Sequence, residues 1–435
     1  MKQQISASKV TLFAPGEDAG VYSPGLRRWQ GISTVECTGS RVWAAWMAGG
    51  IKEPDPENHI VLAYSDDGGK SWVDPFLVID DRGSDSRGRD PVLWKDPGGK
   101  LCLFYAFSGD DFTNVLEIGN PAGDIGQLSV GRPHAVFPKG MLLNKPIVTA
   151  EGECLCMFDP FDGEKGYSYN CCYASCDGGK TWRKRGEVPS RSPNKLFQEG
   201  TLVERKDGSL WCITRIELAD CGGLEQSFSY DGGKTWSVSE NCLAYPFYGP
   251  GSKCCLRRLR SGNLLFVNND SAVPLRVNMA AYLSRDEGKT WTALLLDGRE
   301  GCAYPDAAED DEGNIYIIFD CGRSTRNEIR ICRFREEDIE AGAFLSPAAL
   351  QMAAVAKDGA WSDVVSAVFL SDTAVRLKDE RGRECTLFGR WQGKRTCGEY
   401  LRAFVCGGGL EKYRLTDPCG MLVRRAPKTS QGEKK

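Results

Sequence analysis

Histidine is almost missing from this chain, with two copies among 435 residues. That scarcity removes the commonest metal ligand, and no Cys/His spacing fits a zinc site. No apolar run approaches the ~18 residues of a membrane-spanning helix. The N-terminal stretch "MKQQISASKVTLFAPGEDAG" holds no apolar core of signal-peptide length. The expectation is a cytoplasmic protein with no membrane partner. Long basic runs are absent too and the net charge is −4, which argues against a dedicated nucleic-acid binder. Cysteine is plentiful, but its nineteen copies are an odd number and many lie inside apolar runs such as "CLCMF", "NCCYAS" and "KCCLRR". They read as small buried hydrophobes in a reducing compartment, not as a disulfide framework. Nothing in the chain requires a cofactor or a metal.

What the chain has in quantity is repetition. The pattern Ser-x-Asp-x-Gly-x-Ser/Thr-Trp occurs at Ser65–Trp72, Ser175–Trp182, Ser229–Trp236 and Ser284–Trp291, with 110, 54 and 55 residues between successive serines. The first interval is about double the others, so one copy has eroded between the first and second. Each copy follows an apolar run ("HIVLAY", "SYNCCYA", "EQSFSY", "NMAAYL"). Asp side chains bond backbone amides two residues on and Gly supplies positive φ, so the motif predicts a tight turn with the tryptophan packed beneath it. It reads as a fold staple, not as a catalytic box.

A second repeat sets the count. A glycine opens an aromatic-rich apolar run at Gly39, Gly99, Gly152, Gly208, Gly262 and Gly313, at steps of 60, 53, 56, 54 and 51 residues. Six units of this period, each with a hairpin signal, predict an all-β, six-bladed β-propeller, whose radial repetition protects strand edges. The propeller is expected over residues 1–345. Residues 346–435 show no repeat, and "VVSAVFL" and "YLRAFV" suggest a small β-rich C-terminal appendage before a frayed tail, "APKTSQGEKK".

The four turns resemble the Asp-box of the sialidase (neuraminidase) superfamily, over roughly Arg27–Phe344. Fold-level likeness alone does not settle function. The resemblance implies a glycoside hydrolase releasing a terminal acidic sugar, with a tyrosine as nucleophile. Planar guanidinium groups would hold the sugar's carboxylate. On the matching segment "EGTLVERKDGSLWCITR", Glu199 is the tyrosine's base and Arg215 a carboxylate ligand. Arg276 matches a further carboxylate ligand, eight residues before the fourth Asp-box. Tyr304, in "GCAYPDAAEDDEGNIYIIFD", matches the nucleophile. The acid/base falls on Glu53 or Asp55 in the acidic loop before the first Asp-box. The clearest departure is the family's Arg-Ile-Pro, whose register holds Trp29-Gln30-Gly31; Arg28 lies close enough to be the substitute.

Other residues fit a different sugar acid. His59 lies beside the acidic loop, His134, Lys139, Asn144 and Lys145 lie between the second and third units, and Asp306 sits two residues after Tyr304. Propellers that act on rhamnose–glucuronate linkages, as lyases or glycosidases, are similar to this reading. A non-catalytic propeller binding glycans or proteins is the third possibility. Convergence of Glu199, Arg215, Arg276 and Tyr304 on one central depression would favour the hydrolase.

Overall fold

In the computed structural model the described residues are 8–80, 87–107, 112–162, 167–191, 197–216, 223–242, 246–247, 249–271, 276–324 and 326–354, followed by strands between 362 and 423. Six antiparallel sheets follow one another in chain order. Their inner strands are Gln30–Thr38, Gly88–Lys95, Ile147–Val148, Phe197–Glu204, Cys255–Arg258 and Cys302–Glu309. Inner-strand residues of all six sheets, among them Glu36, Lys95, Ile147, Val203, Arg257 and Asp306, line one axial cavity of about 310 Å³. The sheets are therefore the blades of a six-bladed β-propeller. A further N-terminal strand, Lys9–Leu12, pairs with the outer strand Val73–Asp80 of blade one.

The repeated glycines are the turns between inner and second strands. Gly39, Gly99, Gly152, Gly208, Gly262 and Gly313 all have φ between +58° and +86°, a region that favours glycine.

The Asp-boxes make the bonds their composition suggests. In the first, Asp67 accepts from the Ser65 hydroxyl at 2.8 Å, from the Ser71 hydroxyl at 2.6 Å and from the amides of Lys70 and Ser71 at 2.9 Å. Trp72 Nε1 donates to Gly69 O at 3.1 Å. Each box tryptophan then packs against the preceding blade. Trp182 joins the cluster between blades two and three, Trp236 that between three and four, and Trp291 that between four and five. Trp72 packs between blade six and blade one. The glycine of the Ser-x-Asp-x-Gly pattern tightens this seam, since a Cβ on Gly179, Gly233 or Gly288 would come within 2.6–2.8 Å of Trp94, Cys172 or Trp211. Most free cysteines of the described residues are buried, as in Cys154, Cys156 and Cys171, which pack between blades two and three.

Blade six closes the ring on blade one. Asp306 accepts from Thr34 Oγ1 at 2.7 Å and from the Val35 amide at 3.0 Å, and Ile32 N donates to Asp320 at 2.9 Å. Its outer strand, Leu350–Ala354, lies beyond the boundary at 345 that the repeat spacing suggests. A helix, Glu336–Ala341, precedes that strand and breaks the period that the repeat count extrapolates. Farther on, Ser362–Ser371, which contains "VVSAVFL", belongs to a separate five-stranded sheet. The segment "YLRAFV" and the tail lie outside the described residues. Among the described residues no helix is long and apolar enough to cross a membrane.

Candidate active site

Four inner strands share one local device. Their register against the second strand shifts between Gly31 and Thr34, Arg89 and Val92, Gln198 and Thr201, and Ala303 and Asp306. Each shift is a β-bulge whose first extra residue has positive φ: Ile32 at +58°, Asp90 at +56°, Glu199 at +64° and Tyr304 at +53°. A non-glycine residue in this region carries roughly 1–2 kcal/mol of strain, and bulges re-aim side chains next to sites. In three cases a side chain on the second strand of the preceding blade takes the bulge amide. Asp320 receives Ile32 N at 2.9 Å, Met47 Sδ receives Asp90 N at 3.4 Å, and Asp159 receives Glu199 N at 2.7 Å.

Two of these bulges meet. The Tyr304 hydroxyl donates to Glu199 Oε1. Arg215 Nη1 donates to the same carboxylate oxygen at 3.0 Å and to the Tyr304 hydroxyl at 2.8 Å. Tyr304 and Glu199 are both buried, at 7% and 2% exposure, so these bonds form away from bulk water. Burial first, then the Glu199 charge, push the Tyr304 phenol well up, against the pull of Arg215 and Arg323. Arg276 stands over the Tyr304 ring at 5.4 Å and Arg323 at 4.3 Å. Burial, aided by the like charges of Arg323 and Arg215, pulls the Arg276 guanidinium down despite Tyr304. Trp29, Ile32, Met47, Leu143 and Ala303 pack beside Tyr304 as an apolar wall. The centre thus offers a base-paired phenol under a cluster of cations, which is a place for an anion.

Glu199, Arg215, Arg276 and Tyr304 are brought together, as are two residues that sequence reasoning missed. Arg323 sits in the turn after the second strand of blade six and carries no motif. Asp90 heads blade two's inner strand, and burial first, then Glu53 and Glu199, push its carboxyl up to about 6. Its available signal was the Asp90-Pro91 pair, which echoes Tyr304-Pro305 at the same point of another unit.

The acidic loop separates its two candidates. Glu53 faces the centre, with Arg323 Nη1 at 3.4 Å and Arg87 Nη1 at 3.9 Å. Asp55 instead holds the loop, accepting from Glu57 N at 3.0 Å and Ile51 N at 3.3 Å.

Several expected residues lie elsewhere. Arg28 is exposed, and its neighbour Arg27 is committed to Asp74 at 2.8 Å, so neither stands over Tyr304. His59 is fully buried in blade one, bonding Glu57 O at 3.0 Å and packing edge-on against Tyr22. His134 lies on the outer strand of blade two, the edge farthest from the axis. Asp306 and Lys145 form a buried ion pair that ties blades one, three and six, with Lys145 Nζ also on Val35 O. Asn144 Nδ2 supports the Glu199 bulge through Glu199 O at 3.1 Å and Gly200 O at 3.2 Å. Lys139 likewise serves the backbone, its carbonyl accepting from Phe161 N at 2.9 Å. A possible ligand set of Asp297, Cys302 and Cys321 is engaged internally, since Asp297 pairs with Arg299 at 3.0 Å and the two thiols meet at 2.9 Å.

Fold and centre together define a six-bladed propeller with a phenol–carboxylate pair ringed by arginines. Residues 40–317 match the family model described as a BNR repeat-like domain, and the chain belongs to that family, within the sialidase superfamily. A sialidase of Vibrio cholerae is 26% identical over 181 residues, which is 36% of this chain and 23% of that protein. A probable oligoxyloglucan-reducing end-specific xyloglucanase of Neosartorya fischeri is 21% identical over 276 residues, 61% of this chain and 31% of that protein. The chain therefore spans less than a third of the length of either relative. Among solved structures, the intramolecular trans-sialidase from Ruminococcus gnavus in complex with oseltamivir carboxylate is similar with a TM-score of 0.54 at 16% identity, covering 76% of this chain and 98% of that one. At that identity the likeness speaks for the fold alone.

Proposed function

We propose that this protein is an exo-acting glycoside hydrolase that releases a terminal acidic sugar through a covalent Tyr304 intermediate. The observation that carries the reading is the contact between Tyr304 and Glu199, set beneath Arg215 and Arg276. An ordinary phenol ionises at about 10 and is a weak nucleophile at neutral pH, and burial weakens the acid further. An adjacent base is then needed to take the proton as the bond to carbon forms. Glu199 is in place to do so. A carboxylate nucleophile would be repelled by a substrate that carries its own carboxylate, whereas a neutral phenol is not.

In the proposed cycle the arginines hold the sugar carboxylate and the Tyr304 oxygen bonds to the anomeric carbon. The phenolic proton passes to Glu199, while Glu53 delivers a proton to the departing oxygen. Water then enters on the same face, Glu53 removes its proton, and Tyr304 leaves with the proton held on Glu199. The configuration at the anomeric carbon is retained after two displacements.

The test is a fluorinated sialoside that slows the second step, with a fluorinated uronic-acid glycoside in parallel. One of them should leave a sugar adduct on the peptide bearing Tyr304, located by mass spectrometry. Undiminished turnover of the Tyr304→Phe variant on the same substrate class would refute the mechanism.

A further inference from the structure

The centre has two guanidinium groups in the positions the sequence suggested, Arg215 and Arg276, and lacks an arginine at the start of blade one, where Trp29-Gln30-Gly31 stands. A third guanidinium arrives from the opposite side of the seam. Arg323 leaves the turn after the strand Ile315–Cys321 and crosses to blade one, where Arg323 O accepts from Gln30 N at 3.2 Å. Its side chain lies over the Tyr304 ring at 4.3 Å and near the Trp29 ring at 5.9 Å.

Two features of blade one make this crossing possible. Trp29 offers the guanidinium a second aromatic face, and stacked cations of this kind are held by the ring quadrupole. Gly31 offers room. A Cβ there would fall 2.8 Å from Cδ and Nε of Arg323 and 3.0 Å from its Cγ, so a side chain at position 31 and the Arg323 stem exclude each other. The backbone at Gly31 is outside the left-handed region, so space and not φ accounts for the glycine.

Asp320 sets the plane of the group. Its carboxylate accepts from Arg323 Nε at 3.1 Å and forms an ion pair with Nη2 at 3.1 Å, and the same carboxylate anchors the blade-one bulge through Ile32 N. One edge of the fork is thereby committed. Nη1 is left outside that edge, with Glu53 at a long 3.4 Å. Arg215 is buried and Arg276 and Arg323 are half-buried, and the like charges of Arg323 and Arg215 act on Arg276 around one phenol. An incoming carboxylate relieves that repulsion and completes the hydrogen bonds.

We propose that Arg323, entering from blade six through the space left by Gly31, is the third arm that binds the substrate carboxylate and sets selectivity for acidic sugars. This rests on the acidic-sugar reading above.

The experiment is calorimetric binding of two acids, the 2,3-unsaturated sialic acid and glucuronic acid, each beside its methyl ester. Wild type should prefer one acid over its ester. Arg323→Ala should weaken that acid by about 10- to 100-fold, the worth of a charge-assisted hydrogen bond, and leave the ester within about threefold. Gly31→Val should reproduce the loss by displacing the arginine, and should add nothing in the Arg323→Ala background. If wild type prefers neither acid over its ester, the acidic-sugar reading fails and this proposal with it. If wild type prefers an acid and Arg323→Ala keeps the preference, Arg323 is not the third arm. Should Arg323→Ala fail to fold, Gly31→Val decides, and a retained acid preference in that variant overturns the proposal.

Discussion

Asp306 is the residue whose replacement most directly separates scaffold from chemistry, because it sits two positions from Tyr304 yet bonds in the other direction. Its carboxylate meets Lys145 Nζ, Thr34 Oγ1 and Val35 N, all buried. Burial pushes its carboxyl up, but Lys145, Lys253 and Arg257 together pull it down to about 2. Against an ordinary value of about 3.9, and at 1.36 kcal/mol per pH unit, that corresponds to roughly 2.5 kcal/mol of stability. Asp306→Asn would leave the Lys145 ammonium buried without its counter-charge, a change that typically costs about 3–5 kcal/mol. The first figure lies just below the lower end of the second, so a loss of about 3 kcal/mol is expected in denaturant titrations at pH 7. A depressed acid contributes its stability above the unfolded value and loses it as pH falls toward the folded one. The gap between wild type and variant should therefore be full above about pH 5 and shrink as pH drops toward 2. The Asp-box carboxylates at Asp177, Asp231 and Asp286, also held at about 2, are common to both proteins and cancel in that difference. An Asn variant with wild-type stability and collapsed turnover would refute the argument and make Asp306 a residue of the site.

Trp236→Ala removes a buried inter-blade side chain and should cost about 3–5 kcal/mol, with turnover per folded molecule preserved. Unchanged melting would show that the box does not staple the blades. Asp90→Asn should gain stability over wild type as pH rises from about 4 to about 6 and level off above it, by at most roughly 3 kcal/mol, because over that range the unfolded chain ionises this carboxyl while the buried one keeps its proton. The gain should vanish below about pH 4; a pH-independent difference would count against it. Tyr304→Phe and Glu199→Gln should each lose most of kcat, and the double variant should be scarcely slower than Tyr304→Phe alone, since the two act as one unit. Additive losses would mean that Glu199 works independently of the phenol.

The blade count was legible because it rests on short-range chemistry repeated many times. A glycine in a left-handed turn and an Asp that bonds its own loop look the same in every unit, and the eroded copies are betrayed by spacing. That Glu199, Arg215, Arg276 and Tyr304 would meet could be anticipated from segments that resemble the family's, and only Arg276 was counted from a box. Arg323 was not legible, since its placement depends on a gap at Gly31 nearly three hundred residues away, and an absent side chain leaves no mark in a sequence. The rarity of histidine carried no placement for a related reason. Scarcity says nothing about burial, and His59 spends its ring on Tyr22 inside blade one. Between Glu53 and Asp55 the choice needed the loop's own hydrogen bonds, in which Asp55 is consumed.

The inner-strand bulges have a consequence for how such a molecule changes its chemistry. At Ile32, Asp90 and Glu199 the neighbouring blade grips the bulge by its main-chain amide, so the grip is indifferent to the side chain displayed. One socket now carries a branched alkyl group, one a carboxylic acid that ionises near neutrality, and one the partner of a phenol. Exchanging the cargo of a socket leaves that main-chain grip in place. A propeller built this way resembles a turret with interchangeable tools, in which a new reaction is a matter of a few substitutions around the axis, while the ring that carries them is inherited whole.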